Sequence, residues 1–232
     1  EIERAYFDTD GKPTFHKNGY ARLCFKYDER GNKTEEACFG TDDKPSLCRN
    51  GFSRVVWKYD PRGNQIEVTC FGINGKPVLN KSGYASQVKK YNEYGNVIEE
   101  TSFGADGKPA ANKDGYARIV LQYNAKGYPA GASYFDADGK PTFYKGIASG
   151  TVKYDERGNR IEEAYFGTDG KPALHQNGFA KKFIKHDDHN NLIEETYFGA
   201  DGKPTLSKTG SFKITVKYNE LGNPVEKAFF GT

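Results

Sequence analysis

The chain contains no methionine, one tryptophan (Trp57) and four cysteines in 232 residues. The cysteines, Cys24, Cys38, Cys48 and Cys70, fall near the start, and the rest of the chain has none. A disulfide framework would recur along the chain, so these four are expected as small buried or half-buried residues rather than as bridges. No stretch of about 18 apolar residues occurs, which excludes a membrane-spanning helix. An excess of one charge is also missing: Lys plus Arg is 34 and Asp plus Glu is 31. A dedicated nucleic-acid binder would carry a concentrated basic patch, so nucleic acid is not an expected partner. No signal peptide is visible, and the chain begins at Glu1 inside a repeat, so it is expected to be part of a longer chain.

Catalytic ingredients are equally scarce. There is no Gly-rich phosphate loop opening a helix and no Gly-x-Ser-x-Gly elbow. His16 and His175 occupy equivalent repeat positions, which points to architecture. His186, Asp187, Asp188 and His189 offer too small a donor set for a metal centre. The recurring Asp-x-Asp-Gly, as at Asp8 to Gly11, is not followed by the glutamate of a calcium loop and is explained by turn chemistry. No enzyme activity, cofactor or metal is expected. An enzyme would need a site where the array becomes irregular, around Tyr128 to Gly131, or at His186.

What is present is aromatic: 16 Tyr and 16 Phe. An aromatic followed by Gly or Asp recurs at Phe7, Phe39, Phe71, Phe103, Phe135, Phe166, Phe198 and Phe230, spaced by 32 residues except for one interval of 31. A fixed period marks a repeat array, each unit touching mainly its neighbours. The array fills 1–232 as an N-terminal half-copy 1–7 and seven copies: 8–39, 40–71, 72–103, 104–135, 136–166, 167–198 and 199–230. The short copy loses its residue near Tyr144 to Ile147. Polar-Gly turns recur three times per copy, and short runs rich in β-branched and aromatic residues lie between them. Each copy is therefore expected to hold two longer antiparallel strands and a short extended segment, arranged as a meander.

Alternation places Ala21, Leu23, Phe25 and Tyr27 on an apolar face, with Arg22, Cys24 and Lys26 on a mixed, largely polar one. A tight turn pairing Asp28 with Asn32 would put Ala37 and Phe39 on the apolar face. Glu36 and Cys38 would then be polar-side neighbours of Lys26. Lysine recurs as Lys58, Lys90, Lys153, Lys185 and Lys217, and glutamate as Glu100, Glu163 and Glu195. Both columns read as cross-strand pairing that fixes register. A continuous apolar face needs cover, so the expected fold is an all-β array curled or spiralled into an elongated sheet. One strand type occurs eight times and its partner seven, which argues against a closed ring or propeller.

The segments Tyr27-Asp28-Glu29-Arg30-Gly31-Asn32, Tyr59 to Asn64 and Tyr154 to Asn159 resemble the YD repeats of bacterial Rhs and toxin-complex proteins. Those repeats are β-hairpins that wind into a shell. The aromatic hairpins also resemble choline- and glucan-binding repeats of bacterial surface proteins, which are shorter and rich in Trp. Both resemblances imply a bacterial, non-enzymatic repeat region that is secreted or at the cell surface.

The candidate contacts for a ligand are rings expected on the mixed face. Tyr6, Tyr134, Tyr165 and Tyr197 share one repeat position; Tyr20, Phe52, Tyr84, Tyr116 and Phe179 share another. Exposed ladders of rings stack on sugars or anchor a protein. The expected role is macromolecular binding or scaffolding, with a carbohydrate or protein partner and no membrane insertion. The alternative is a shell segment of a YD/Rhs-type toxin.

Overall fold

The computed structural model describes residues 2–231. Its strands are β1 (Glu3–Ala5), β2 (Arg22–Tyr27), β3 (Lys33–Phe39), β4 (Arg54–Tyr59), β5 (Gln65–Phe71), β6 (Ser86–Tyr91), β7 (Val97–Phe103), β8 (Arg118–Tyr123), β9 (Pro129–Phe135), β10 (Ser149–Tyr154), β11 (Arg160–Phe166), β12 (Lys181–His186), β13 (Leu192–Phe198), β14 (Lys213–Tyr218) and β15 (Pro224–Phe230). They form one open antiparallel sheet in chain order, not a closed barrel. No helix occurs among the described residues, and so none is long and apolar enough to cross a membrane. The chain divides into two compact units. Unit 1 is Glu1–Ile119 with Asp136–Gly139, and unit 2 is Val120–Phe135 with Lys140–Thr232.

Each hairpin is made by its turn. In the first, Asp28 accepts through Oδ1 from the backbone N–H groups of Arg30 and Asn32, and through Oδ2 from the Asn32 amide. Gly31 sits at φ +83°, a conformation only glycine adopts without strain. The same set recurs at Asp60 and Asn64, Asp155 and Asn159, and Asp187 and Asn191.

Two of the three expected segments enter the ladder. The third touches the sheet by one bridge per copy, as in Phe39 with Pro45 and Phe71 with Pro77. Proline lacks the N–H that a ladder requires, so this segment leaves the sheet and folds back across it. Successive copies therefore advance by two strands, roughly 10 Å.

The register differs from the expected one. Asp28 does pair with Asn32, and Tyr27 then opposes Lys33, but Lys26 opposes Glu35. Thr34 is skipped as a bulge, and Ile66, Ile98, Ile161, Ile193 and Val225 are skipped in the same way. One extra residue exchanges the faces of everything beyond it. Glu36 and Cys38 therefore share the face of Leu23 and Phe25, while Ala37 and Phe39 share that of Arg22 and Cys24.

Copies are tied to one another at both ends of their strands. In unit 1, the Tyr59 and Tyr91 hydroxyls donate to the carbonyls of Lys33 and Gln65, at 2.8 and 2.7 Å. In unit 2, Tyr154 and Tyr218 donate to Pro129 and Leu192. At the opposite end, the Arg49, Lys81 and Lys113 N–H groups donate to the carbonyls of Asn18, Asn50 and Ser82. Gln176 and Lys208 do the same in unit 2.

Candidate functional site

The folded-back loops decide where the nine candidate rings lie. The loop after each Phe-Gly or Phe-Asp marker returns over the Leu23 face and lays two of its residues against one strand residue. Backbone bonds hold this in place: in the second copy Ser46 N–H donates to Cys38 O, and Cys48 N–H donates to Phe52 O.

The result is a three-residue position repeated along each unit. In unit 1 it is filled by Tyr6, His16 and Tyr20, by Cys38, Cys48 and Phe52, by Cys70, Asn80 and Tyr84, and by Ser102, Asn112 and Tyr116. In unit 2 it is filled by Tyr134, Tyr144 and Ile147, by Tyr165, His175 and Phe179, and by Tyr197, Ser207 and Ser211.

The fillings differ in chemistry and share a purpose. Tyr6 stacks on His16 with centroids 4.7 Å apart, and Tyr165 stacks on His175 at 4.8 Å. Tyr134 meets Tyr144 at 4.8 Å. Cys38 and Cys48 form a disulfide, with Cα atoms 6.1 Å apart. The Asn80 amide donates to the Cys70 sulfur at 3.5 Å. The expectation of four unbridged cysteines is thus corrected: Cys24 and Cys70 are free, while Cys38 and Cys48 are bonded.

The expected exposed ladder of rings is not what forms. Tyr20, Phe52, Phe179 and Tyr197 are buried. Tyr6, Tyr84, Tyr116, Tyr134 and Tyr165 are half-buried. Phe52 packs with Val55, Val68 and Cys70, and Phe179 with Tyr197 and Ile214. Burying one such side chain stabilises the fold by roughly 2 kcal/mol, and this packing is their evident structural work. The physical reason is the loop. Strand alternation assigns a side but cannot show that another segment will cover it.

The electrostatics of unit 2 follow from this burial. The Tyr165 hydroxyl donates to Glu163 and the Tyr197 hydroxyl to Glu195, at 2.9 and 2.8 Å. Burial, then the adjoining carboxylate, pushes both phenols well above the usual tyrosine value. Lys182 lies between Glu163 and Glu195, at 3.6 and 3.1 Å. Burial, then Lys145, lowers His175 below the ordinary histidine value, which favours its neutral form.

On the opposite face, Lys26, Lys58, Lys90, Lys153, Lys185 and Lys217 pair with Glu35, Glu67, Glu99, Glu162, Glu194 and Glu226 at 2.8 to 3.2 Å. These glutamates sit one residue before the column expected from sequence, because of the bulge. Most also meet a cation on the next strand, as Glu35 does with Arg54 and Glu194 with Lys213. Glu99 and Glu194 are held below the usual carboxylate range first by their lysine partners. Arg22 and Arg54 lie over the rings of Phe39 and Phe71 at 4.3 and 4.2 Å. Ser149 opposes Phe166 instead, and a groove of about 560 Å³ lined by Phe166, Phe183 and Phe198 opens there. No group of three or more potential metal ligands occurs among the described residues.

An exposed apolar column in each unit was missed by strand reasoning because it lies in the loops. Phe15, Leu47 and Leu79 in unit 1, and Phe143, Leu174 and Leu206 in unit 2, share one repeat position and are 40 to 55% exposed. The signal was available: an apolar residue stands directly before the first loop member of the three-residue position in each copy.

No family model matches the chain, and no curated protein matches it. Several solved structures are similar to it. The crystal structure of TcdB2-TccC3 is 13% identical over 97% of this chain and 12% of that chain, with a TM-score of 0.43. The crystal structure of TcdB2-TccC3-TEV is 13% identical over 98% and 13%, with a TM-score of 0.34. A structure of the Photorhabdus luminescens Tc holotoxin pore is 12% identical over 98% and 13%, with a TM-score of 0.33. The chain spans about an eighth of the length of each.

Proposed function

We propose that the chain is a non-catalytic scaffold that presents a periodic apolar surface to a macromolecular partner, a carbohydrate or a protein, outside the cytoplasm. The observation that carries this reading is an exposed apolar column in each unit, Phe15, Leu47 and Leu79 in unit 1 and Phe143, Leu174 and Leu206 in unit 2. Three of the recurring polar columns are already engaged. The lysines meet glutamates, the turn aspartates meet asparagines, and the turn tyrosines meet backbone of the preceding hairpin. Such a surface binds by multiplicity, since within each unit successive copies add a weak contact at a fixed spacing. The Cys38–Cys48 disulfide supports an oxidising compartment.

The test is co-sedimentation of the chain with insoluble bacterial cell walls and polysaccharides at low and moderate salt. Salt-resistant pelleting with one of them supports a carbohydrate partner. Pelleting with none directs the search to a protein partner.

A second reading, a shell segment of a YD-type toxin, is supported by the Tyr-Asp-x-x-Gly-Asn turns. Their tyrosine joins one hairpin to the previous one, which is what a continuous wall requires. That reading predicts a longer parent chain with many more copies and a C-terminal effector.

A further inference from the structure

The paired lysines of the sheet leave one cation column of unit 1 unexplained. Lys17, Arg49, Lys81 and Lys113 occupy one position in four consecutive loops, and all four are exposed. Their backbones are fixed: Arg49, Lys81 and Lys113 donate the N–H bonds that stack each loop turn on the one before. The column therefore runs in a line and advances by one copy, roughly 10 Å, per cation. In unit 2 the same position holds Lys145, Gln176 and Lys208, so the neutral Gln176 interrupts it. Only unit 1 carries an unbroken line.

The line lacks the carboxylates that neutralise the other columns. None of the four side chains makes an ion pair or a hydrogen bond among the described residues. The four turns 16–19, 48–51, 80–83 and 112–115 contain these four cations and a single acid, Asp114. On the sheet face beneath the loops, Glu36 is held by Lys33 at 2.6 Å and Glu100 by Lys89 at 3.5 Å. The other lysine column of these loops, Lys12, Lys44, Lys76 and Lys108, is different. Asp10, Asp42 and Asp106 stand two residues before three of its members, and Lys44 meets Asp42 at 3.6 Å.

A rigid line of unneutralised cations at regular intervals complements a polymer that carries negative charge at regular intervals. The apolar column accompanies it. Phe15, Leu47 and Leu79 stand two residues before Lys17, Arg49 and Lys81 and are exposed. These side chains suit the C–H faces of sugar rings between charged groups, whereas a nucleic acid would call for a row of exposed rings, of which the column offers Phe15 alone. We infer that the Lys17–Arg49–Lys81–Lys113 line of unit 1 is a binding surface for an acidic polysaccharide. The inference rests on the reading of the loops as a surface for a macromolecular partner, and names that partner for unit 1. The two fail separately. Contact through the apolar columns alone is salt-resistant and indifferent to these cations, whereas contact through the line is salt-sensitive and depends on them.

The test is a fluorescence-anisotropy titration of labelled oligogalacturonate with the whole chain. Saturable binding is expected, weakening at least about tenfold between about 50 and 200 mM salt, as the engagement of three or four charges requires. Arg49→Gln with Lys81→Gln should weaken it about tenfold or more at the lower salt. The fold tolerates this change, because Gln176 stands at the same position and its N–H keeps the same bond, to the Lys145 carbonyl. Lys12→Gln with Lys108→Gln removes equal charge from the neighbouring column and should weaken binding less than about threefold. Unlabelled polygalacturonate should compete, and dextran, polyglutamate and single-stranded DNA should compete at least about tenfold more weakly. The inference is overturned by an absence of saturable binding, by binding indifferent to salt, or by equal losses from the two pairs of substitutions. Competition by dextran, polyglutamate or single-stranded DNA at the level of polygalacturonate also overturns it.

Discussion

Lys90 and Glu99 face each other across one hairpin at 2.8 Å, and the same pair closes five further hairpins. The exception is informative. Where the fourth copy has Gln122 in place of lysine, the facing glutamate is replaced by Gly131, whose missing Cβ would otherwise meet the Gln122 side chain at 2.9 Å. The two columns change together because they are one interaction. Neither cation nor carboxylate is available to a ligand without breaking a pair.

The Lys90–Glu99 pair should contribute little alone. Lys90 is 63% exposed, and pairs of this kind are typically worth about 0.5 kcal/mol. A double-mutant cycle of Lys90→Met and Glu99→Gln, read by urea unfolding, should give a coupling below about 1 kcal/mol that shrinks in high salt. A coupling of several kcal/mol would mean the pair is far better shielded than its exposure indicates.

Two glycines with nearly the same backbone should respond differently. Gly83 and Gly115 have φ of +85° and +91°. A Cβ on Gly83 would lie 2.8 Å from the Lys113 nitrogen of the next copy, whereas nothing lies within 4 Å at Gly115. Gly115→Ala should cost about 1 kcal/mol, from backbone strain alone. Gly83→Ala should cost about 2–4 kcal/mol, because the stacking of turns must also shift. Equal costs would remove the turn stack as a source of stability.

Opening the Cys38–Cys48 disulfide should lower stability by about 2–3 kcal/mol, the effect of releasing a short loop in the unfolded chain. Replacing the pair with Cys38→Tyr and Cys48→His, the filling of the first and sixth copies, should recover part of that loss without a bridge. Unfolding midpoints under oxidising and reducing conditions check both. No recovery would show that the three-residue positions are not interchangeable.

These positions also show what could be read from the residues alone. The period, the Asp-to-Asn turns and the two long strands per copy were legible, because each rests on a local requirement such as Gly31 at positive φ. The register was not, since Thr34 and Ile66 are β-branched like any strand residue and nothing in them announces a bulge. The disulfide was obscured because pairing follows position rather than residue type. Cys38 and Cys48 stand where Tyr6 and His16 stand one copy earlier, and that correspondence was the available signal.

Stability should fall at both extremes of pH. Glu99 and Glu194 have carboxyls lowered from an ordinary 4.5 by their lysine partners. The stability they add is complete above about pH 4.5 and is lost as pH falls through their lower folded values. Tyr165 and Tyr197 are raised from an ordinary 10.0, chiefly by burial. Their contribution is complete below about pH 10 and declines as pH rises from there. Thermal midpoints measured from pH 3 to 11 should show both limbs (an order-of-magnitude window about these reference values). Glu194→Gln should flatten the acid limb and Tyr197→Phe the alkaline one. Unchanged limbs would place the titration elsewhere.

The central claim is that paired and packed side chains build the array while the exposed apolar columns of the two units meet the partner. The most direct measurement compares two variants for stability and for pelleting with whichever insoluble glycan retains the wild-type chain. Leu47→Asp, Leu79→Asp and Leu174→Asp combined should keep the unfolding midpoint near that of the wild type and abolish pelleting. Lys90→Met with Glu99→Gln should lower the midpoint slightly and leave pelleting intact. Pelleting that survives the three aspartates, or that disappears with the Lys90–Glu99 pair, would contradict the account.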